Sequence, residues 1–337
     1  MTARRIALLA LLLSCNGSVL PQAMSHAGVY KIGVERVHGA SAIGSAVQIS
    51  PGKLITNCHT VREATRIFIL HFDGQVEAQL DQADFAHDLC LLNAPAFNGR
   101  SPSRVPSAQL SVGQPVVAIG YGPDFRLSVA HGNITALYRF DGASVLRTSA
   151  WFPRGASGGA LYDEDGRLVG ILTFRAKVSD ELNYAVPVEW VDRILAGDVR
   201  TNDASPEAIA FWEDSAPQQP VFLRAAWMEY QGTWQELRVL ATDWVILQED
   251  DVEAWIALGR ARLGLRNYKD AIVAFRRAVQ LQPNSGVAWY WLAIAYHSTN
   301  FTAQLTQAST RLKELDSALA ERLSTELNAR KDAAISD

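Results

Sequence analysis

Residues 28 to 188 carry short apolar runs that glycine, proline, asparagine and aspartate interrupt at close intervals. Runs of this length, rich in Val, Ile and Leu, are typical of β-strands, and their number favours an all-β barrel or sandwich. The clearest predicted strands are Val29–Val37, Ser45–Ile49, Lys53–Thr56, Arg66–Phe72, Leu89–Leu92, Pro115–Ile119, Gly132–Tyr138 and Arg167–Arg175.

The end of this β-rich region has recognisable turn and helix signals. Residues 163–166 are acidic and end in a glycine, which predicts a hairpin turn. Glu189–Ala196 has a helical pattern and Gly197 follows it, so a short helix is predicted there. Residues 199–217 are polar and contain two prolines, which predicts a linker with one helical piece at Glu207–Glu213.

After residue 217 the apolar period becomes helical, and a repeat is present. Trp255 and Trp289 lie 34 residues apart. The residues that match the W-x2-LG…A-x3-F…P spacing of a tetratricopeptide repeat are Trp255, Leu258, Gly259, Ala271, Phe275, Ala278 and Pro283. We therefore predict a repeat domain over 218–333, with units at 218–251, 252–285 and 286–318 and a capping helix after them. A plain helical bundle is the alternative.

The first 27 residues form a targeting pattern rather than part of the fold. Arg4 and Arg5 precede the apolar run Ile6–Leu13, and small and polar residues follow, as in a bacterial signal peptide. The run is too short to span a bilayer. Leu12–Cys15 also fits a lipoprotein processing site, so Cys15 is a candidate for lipidation. Both interpretations predict a periplasmic or secreted protein.

Charge and composition narrow the function classes. The chain of 337 residues has a formal net charge of −4, so no basic field indicates nucleic acid binding. The histidines lack metal-ligand spacing, and we expect neither a metal nor a cofactor.

Three residues in chain order have the chemistry of a nucleophilic hydrolase. His59 follows an apolar strand, Asp88 precedes one, and Ser157 lies in the glycine-rich segment 154–161. A serine hydroxyl needs an imidazole to accept its proton, and a buried carboxylate to fix the imidazole tautomer. Glycines beside the serine allow backbone N–H groups to converge on an oxyanion, and the amides of Gly155 and Ser157 are the candidates.

Residues 155–159 also fit the G-x-S-x-G motif of α/β-hydrolases. Those enzymes have the order Ser, Asp, His, and here His297, in the repeat region, is the only histidine that follows Ser157. The order His, Asp, Ser is that of chymotrypsin-like enzymes.

Several of these segments together resemble a known family. They are 44–47, 54–61, 88–92, 112–120, 132–137, 155–161 and 183–187. Over 28–198 the chain resembles the trypsin-like peptidase domain of the bacterial HtrA/Deg type. The resemblance implies a double β-barrel with the site in the cleft between the barrels, and endopeptidase activity. That family usually carries a PDZ domain after the protease, whereas this chain resembles a repeat stack there.

The resemblance also indicates a specificity pocket, which Trp151 and Thr173 are expected to line. No acidic residue occurs in segment 149–153, so cleavage after Lys or Arg is not expected. We expect a small or apolar side chain at the cleaved position instead. Ala156 stands where the family commonly has Asn.

Cys58 and Cys90 each lie beside a predicted triad residue. In an oxidising compartment they are candidates for a disulfide, and two buried free thiols are the alternative.

The sequence therefore predicts an all-β double-barrel protease domain followed by an all-α tetratricopeptide repeat domain. The predicted function is an exported serine endopeptidase with a protein or peptide substrate and a protein partner on the repeats. A catalytically silent protease-like scaffold and an esterase with the same triad are the alternatives.

Overall fold

The computed structural model describes residues 28–36, 41–71, 74–175, 182–199, 208–215 and 217–336. The predicted signal peptide and Cys15 lie outside these residues. Within them the chain forms two closed β-barrels and then a run of helices, which confirms the predicted fold class.

The first barrel has the strand order β1-β2-β3-β6-β5-β4, and all of its pairs are antiparallel. Its strands are β1 (Val29–Arg36), β2 (Ser41–Ser50), β3 (Lys53–Thr56), β4 (Ala64–His71), β5 (Gly74–Asp84) and β6 (Leu89–Asn93). A one-turn helix, α1 (Cys58–Val61), follows β3. Apolar side chains that alternate along these strands, such as Ile32, Leu54 and Ile69, fill the barrel.

The second barrel has the order β10-β11-β12-β9-β8-β7. Its strands are β7 (Pro115–Tyr121), β8 (Leu127–Phe140), β9 (Ala143–Thr148), β10 (Ala160–Asp163), β11 (Leu168–Arg175) and β12 (Asn183–Pro187). The predicted hairpin turn joins β10 to β11, where Gly166 N donates to Asp163 O at 3.0 Å. Helix α2 (Val188–Leu195) follows β12 within a residue of the predicted helix bounds.

The linker differs from its prediction where the structure describes it. Residues 211–213 form a turn, and no helix is present at 208–215. The physical reason lies in its contacts: Phe211 is buried among aromatic rings of the second barrel, and its backbone N–H donates to Ala86 O at 2.9 Å. The local backbone bonds are those of a single turn, in which Glu213 N and Asp214 N donate to Ala210 O.

Seven helices of the described residues follow the linker. They are α3 (Val221–Gln231), α4 (Trp234–Leu247), α5 (Val252–Gly264), α6 (Tyr268–Leu281), α7 (Gly286–Ser298), α8 (Thr302–Leu315) and α9 (Ser317–Ser336). In the repeat signature, Gly259 lies against the Phe275 ring, since a Cβ there would come within 2.4 Å of it. This contact explains why the pattern pairs a glycine on one helix with a phenylalanine on the next.

The helices pack directly on the second barrel. The ring of Phe222 in α3 stacks on Tyr138 in β8, with centroids 4.4 Å apart. Arg139 of β8 forms an ion pair with Asp250 at 2.9 Å. One hydrophobic cluster runs from the second barrel through α2 and the linker into α3, α4 and α5, so the repeats and the barrel share a core.

Candidate active site

His59 lies in α1, directly after β3 ends. Thr56 of β3 pairs with Cys90 of β6, and this register brings the start of α1 next to the start of β6. Cys58 N donates to Asp88 O at 3.3 Å, and Asn57 Nδ2 donates to the same carbonyl at 2.8 Å. The strand pairing therefore places His59 beside Asp88.

The Asp88 carboxylate is fully buried. Its Oδ1 accepts from His59 N at 2.8 Å, and its Oδ2 accepts from His59 Nδ1 at 2.6 Å. The residue adopts a left-handed backbone with φ of 58°, which aspartate tolerates better than most residues. An ionised carboxylate only accepts hydrogen bonds, so Nδ1 carries the proton and Nε2 of a neutral ring is left as the base.

The pKa of His59 reflects two opposing influences. Burial is the largest and lowers it, but the charge of Asp88 and the hydrogen bond to it raise it. Glu213 also raises the pKa and Arg62 lowers it, and the net result lies above the ordinary histidine value. Asp88 therefore favours the imidazolium form that proton abstraction from a serine would create.

Ser157 lies in the turn before β10, in the cleft between the barrels. Its hydroxyl donates to Thr173 O at 3.2 Å. Within the described residues it forms no hydrogen bond with His59, and catalytic hydrogen bonds of unliganded enzymes are often formed only with substrate bound. Thr173 also receives a bond from Asn57 Nδ2 at 3.2 Å, which links the serine loop to the segment that carries His59.

The backbone amides of Gly155 and of Ser157 itself are available to bind an anion. Ala156 N, Gly158 N and Gly159 N each donate to a carbonyl. Among the hydrogen bonds of the described residues, neither Gly155 N nor Ser157 N donates to any acceptor. Gly155 has φ of 90°, a backbone shape that a side chain would strain. These are the two amides that the sequence suggested for an oxyanion hole.

Ser45 holds the serine loop against the first barrel, a role that the sequence did not indicate. Its Oγ accepts from Tyr121 N at 2.8 Å and donates to Gly155 O at 3.2 Å, and its N–H donates to Ser157 O at 3.0 Å. A Cβ at Gly158 would lie 2.1 Å from Ser45 O. Only glycine allows this close approach between the barrels.

The two predicted pocket residues occupy different environments. Trp151 is half exposed, at 47%, and the Arg175 guanidinium lies 5.7 Å from its ring centroid. The side chain of Thr173 is buried and donates to Ile171 O at 2.8 Å. Thr173 therefore presents its carbonyl, rather than its side chain, to Ser157.

Cys58 and Cys90 form a disulfide with a Cα–Cα distance of 4.9 Å, and both are buried. It joins α1, which carries His59, to β6, which begins directly after Asp88. The chain between the cysteines spans a sequence separation of 32.

A cavity of about 770 Å³ lies between β8 and β9 of the second barrel and helices α3, α5, α7 and α9. Trp151 is among the lining residues, and the other aromatic side chains of the lining include Tyr138, Phe222, Trp244, Tyr290 and Trp291. The charged residues of the lining are Arg147, Glu229, Glu253, Arg260, Asp316 and Arg322.

Two of the charged groups in this cavity pair with each other. Arg260 and Glu229 form an ion pair at 2.5 Å. Glu253 is 7% exposed, and burial raises its pKa to about 7, against the opposing effect of Arg147. The cavity therefore combines apolar surface with charges of both signs and a carboxyl group that titrates near neutrality.

The family described as "Trypsin-like peptidase domain" matches residues 44–171, and "Tetratricopeptide repeat" matches residues 252–295. Serine endoprotease DegS of Haemophilus influenzae is 34% identical over 166 residues, which cover 45% of this chain and 49% of that protein. The probable periplasmic serine endoprotease DegP-like of Halomonas elongata is 32% identical over 157 residues, 44% of this chain and 33% of that protein.

Among solved structures, the HtrA-type protease AlgW with tripeptide is 28% identical, covers 53% of this chain and 62% of that one, and has a TM-score of 0.48. The match to the first of the curated relatives spans about half of its length. Residues 44–171 thus match the trypsin-like peptidase family, and the same half of the chain is similar to serine endoproteases of the HtrA type. Residues 252–295, later in the chain, match the tetratricopeptide repeat.

Within the described residues, no helix has the length and apolarity to cross a membrane, and no group of His, Cys, Asp and Glu has the geometry of a metal site.

Proposed function

We propose that the protein is an exported serine endopeptidase that uses His59, Asp88 and Ser157 as its catalytic triad. The observation that carries this proposal is the hydrogen bond of 2.6 Å between His59 Nδ1 and the fully buried Asp88 carboxylate. That bond sets the tautomer in which Nε2 is the base, and the family match to the peptidase domain supports the assignment.

The reaction follows from the positions of these groups. Ser157 Oγ attacks the scissile carbonyl carbon while His59 Nε2 takes its proton. The amides of Gly155 and Ser157 donate to the resulting oxyanion, which they suit because both are free of other acceptors. The C–N bond breaks as His59 returns the proton to the leaving amine. Water then attacks the acyl-enzyme carbonyl while His59 Nε2 takes its proton. The ester C–O bond breaks as His59 returns this proton to Ser157 Oγ, and the carboxylic acid product leaves.

For the cleaved position we propose a small or apolar side chain, with Trp151 as part of the pocket wall. Arg175 lies over the Trp151 ring, so a cation is near this wall. Segment 149–153 also has no acidic residue that would bind a substrate Lys or Arg.

Export is supported by the signal-like pattern of residues 1–27 and by the relative that is named periplasmic. The disulfide between Cys58 and Cys90 suits an oxidising compartment. A lipid anchor at Cys15 is the alternative to a freely soluble periplasmic form.

The test of the activity is labelling with a fluorophosphonate probe, with Ser157→Ala as the control. We expect the mature protein to be labelled and the variant not to be. No labelling of folded protein would favour the silent scaffold, in line with the hydrogen bond that Ser157 makes to Thr173 instead of His59. Labelling with ester turnover but no peptide turnover would favour the esterase.

We further propose that the cavity between the second barrel and the repeats receives a segment of the polypeptide substrate. Trp151, which we assign to the specificity pocket, lines this cavity together with residues of the helices. Aromatic walls and charges of both signs suit a polypeptide, which offers apolar side chains, backbone polar groups and ionic groups together.

Filling the cavity is expected to weaken binding of a long substrate alone. Ala226 of α3 is half-buried and lines the cavity, so Ala226→Trp should raise KM for casein, an unfolded protein, several-fold. Hydrolysis of a short chromogenic peptide should not change. Ala303 is exposed on α8, and Ala303→Trp is the matched control. Equal casein KM values for both variants and the wild type would contradict this use of the cavity.

A further inference from the structure

The linker between the two domains lies against the catalytic base. Glu213 forms an ion pair with Arg62, the residue after α1, at 2.8 Å. The Trp212 ring stacks on Phe174 with centroids 5.1 Å apart and an interplanar angle of 9°. With the Phe211 N–H bond to Ala86 O, three successive residues of the linker contact the protease domain around the triad.

The indole of Trp212 reaches the triad carboxylate itself. Its Nε1–H donates to Asp88 Oδ2 at 3.2 Å. This is the oxygen that also accepts from His59 Nδ1. The indole meets the imidazole edge-on, with centroids 5.5 Å apart. Trp212 therefore contacts both members of the pair.

We propose that Trp212 is a positioning residue for the Asp88–His59 pair, supplied by the linker that leads to the repeat domain. The proposal rests on the function proposed above. Trp212 touches neither the scissile bond nor Ser157, so it acts only through Asp88 and His59.

The physical role of the indole has two parts. A second donor on Oδ2 fixes the rotation of the carboxylate, so that Oδ1 stays on the His59 amide and Oδ2 on Nδ1. It also withdraws charge from the oxygen that stabilises the imidazolium, which limits the rise of the His59 pKa. Thr173 does not supply this donor, because its hydroxyl donates to Ile171 O.

The repeat domain also holds the linker. Gln219 Nε2 donates to the carbonyl of Trp212 at 3.1 Å and to that of Asp214 at 3.0 Å. Gln219 immediately precedes Pro220, the N-cap of α3. The first helix of the repeat region is thereby joined to the residue that donates to Asp88, and a shift of α3 would move the indole.

Trp212→Phe tests the donor, because phenylalanine keeps an aromatic ring against Phe174 and His59 but lacks the N–H. We expect kcat on a peptide substrate to fall roughly tenfold, as for loss of one hydrogen bond to a charged group, while KM changes little. The acid limb of kcat/KM should move to higher pH by about half a unit, since Asp88 then attracts the imidazolium more strongly.

Glu213→Gln should move the acid limb of kcat/KM in the opposite direction. Among the described residues, the charged side chains that influence the His59 pKa are Asp88, Glu213 and Arg62. Arg36 is also close, since its Nη2 donates to the backbone carbonyl of His59 at 3.4 Å. Removal of the Glu213 charge leaves Arg62 unopposed, and both changes lower the His59 pKa. The acid limb of Glu213→Gln should therefore move to lower pH. If the linker only stabilised the fold, the acid limbs of the Trp212→Phe and Glu213→Gln variants would not move in opposite directions.

The control is Trp227→Phe, a tryptophan on α3 that is 46% exposed and away from the triad. It should retain wild-type kcat and pH dependence. Titration of the His59 imidazole by NMR gives a readout that needs no turnover, so the inference can be tested even if the protein proves not to cleave peptides. The proposed role of Trp212 would be overturned if folded Trp212→Phe protein had the same His59 pKa and the same kcat as the wild type.

Discussion

Asp88→Asn is expected to lower kcat by about four orders of magnitude, the loss seen when the triad carboxylate of a chymotrypsin-like enzyme becomes an amide. The amide keeps an oxygen for the His59 backbone N–H, so the local fold should survive. Its NH2 group would face Nδ1, the atom that now donates to Oδ2 at 2.6 Å. The imidazole would then carry its proton on Nε2, where it cannot accept the proton of Ser157.

The measurement is kcat on a peptide substrate together with the rate of fluorophosphonate labelling. Asp81→Asn is the matched control, because Asp81 is a more exposed carboxylate of the same barrel, on β5, paired with Lys53. It should retain wild-type kcat. An Asp88→Asn protein that is folded and retains a tenth of the activity would show that Asp88 does not set the tautomer.

Removal of the disulfide by Cys58→Ala/Cys90→Ala should lower the free energy of unfolding by roughly 3 to 4 kcal/mol, as expected from the loop-closure entropy of a loop of this length. Because the bond joins α1, which carries His59, to β6, which begins directly after Asp88, kcat should fall as well, several-fold. Urea unfolding and peptide turnover measure the two effects.

Chemical reduction of the disulfide is the control for the Cys58→Ala/Cys90→Ala variant. Dithiothreitol should move the wild type towards the stability of the double variant and leave the double variant unchanged. An unchanged melting temperature and activity in the double variant would mean that the disulfide does not contribute to holding the triad.

The strand pattern predicted an all-β barrel or sandwich because apolar side chains that alternate along the strands fill the barrel interiors. The clearest predicted strands do not include β5, β9, β10 or β12. In β5 most side chains are exposed or half-buried, so its run of Gln, Glu and Asp gives little apolar signal. Pairing with β4 and β6 makes it a strand nonetheless.

The site was predictable to the extent that its residues lie in local motifs. His59, Asp88 and Ser157 each adjoin a strand end or glycine-rich turn that is visible in the sequence. Ser45 and Trp212 act through distant contacts, and no local pattern in the sequence indicates their roles. Ser45 bonds to Gly155 across 110 residues, and Trp212 bonds to Asp88 across 124.

The amino-acid sequence by itself determined the classes of the two domains, the order of the three candidate catalytic residues and the helical repeat spacing, because apolar periodicity and turn chemistry act between near neighbours. Only the tertiary structure decided that Cys58 bonds to Cys90, that 211–213 is a turn, and that its tryptophan donates to Asp88. Those outcomes depend on which surfaces come into contact once both barrels and the repeats are packed. Local sequence patterns do not predict such contacts between distant segments.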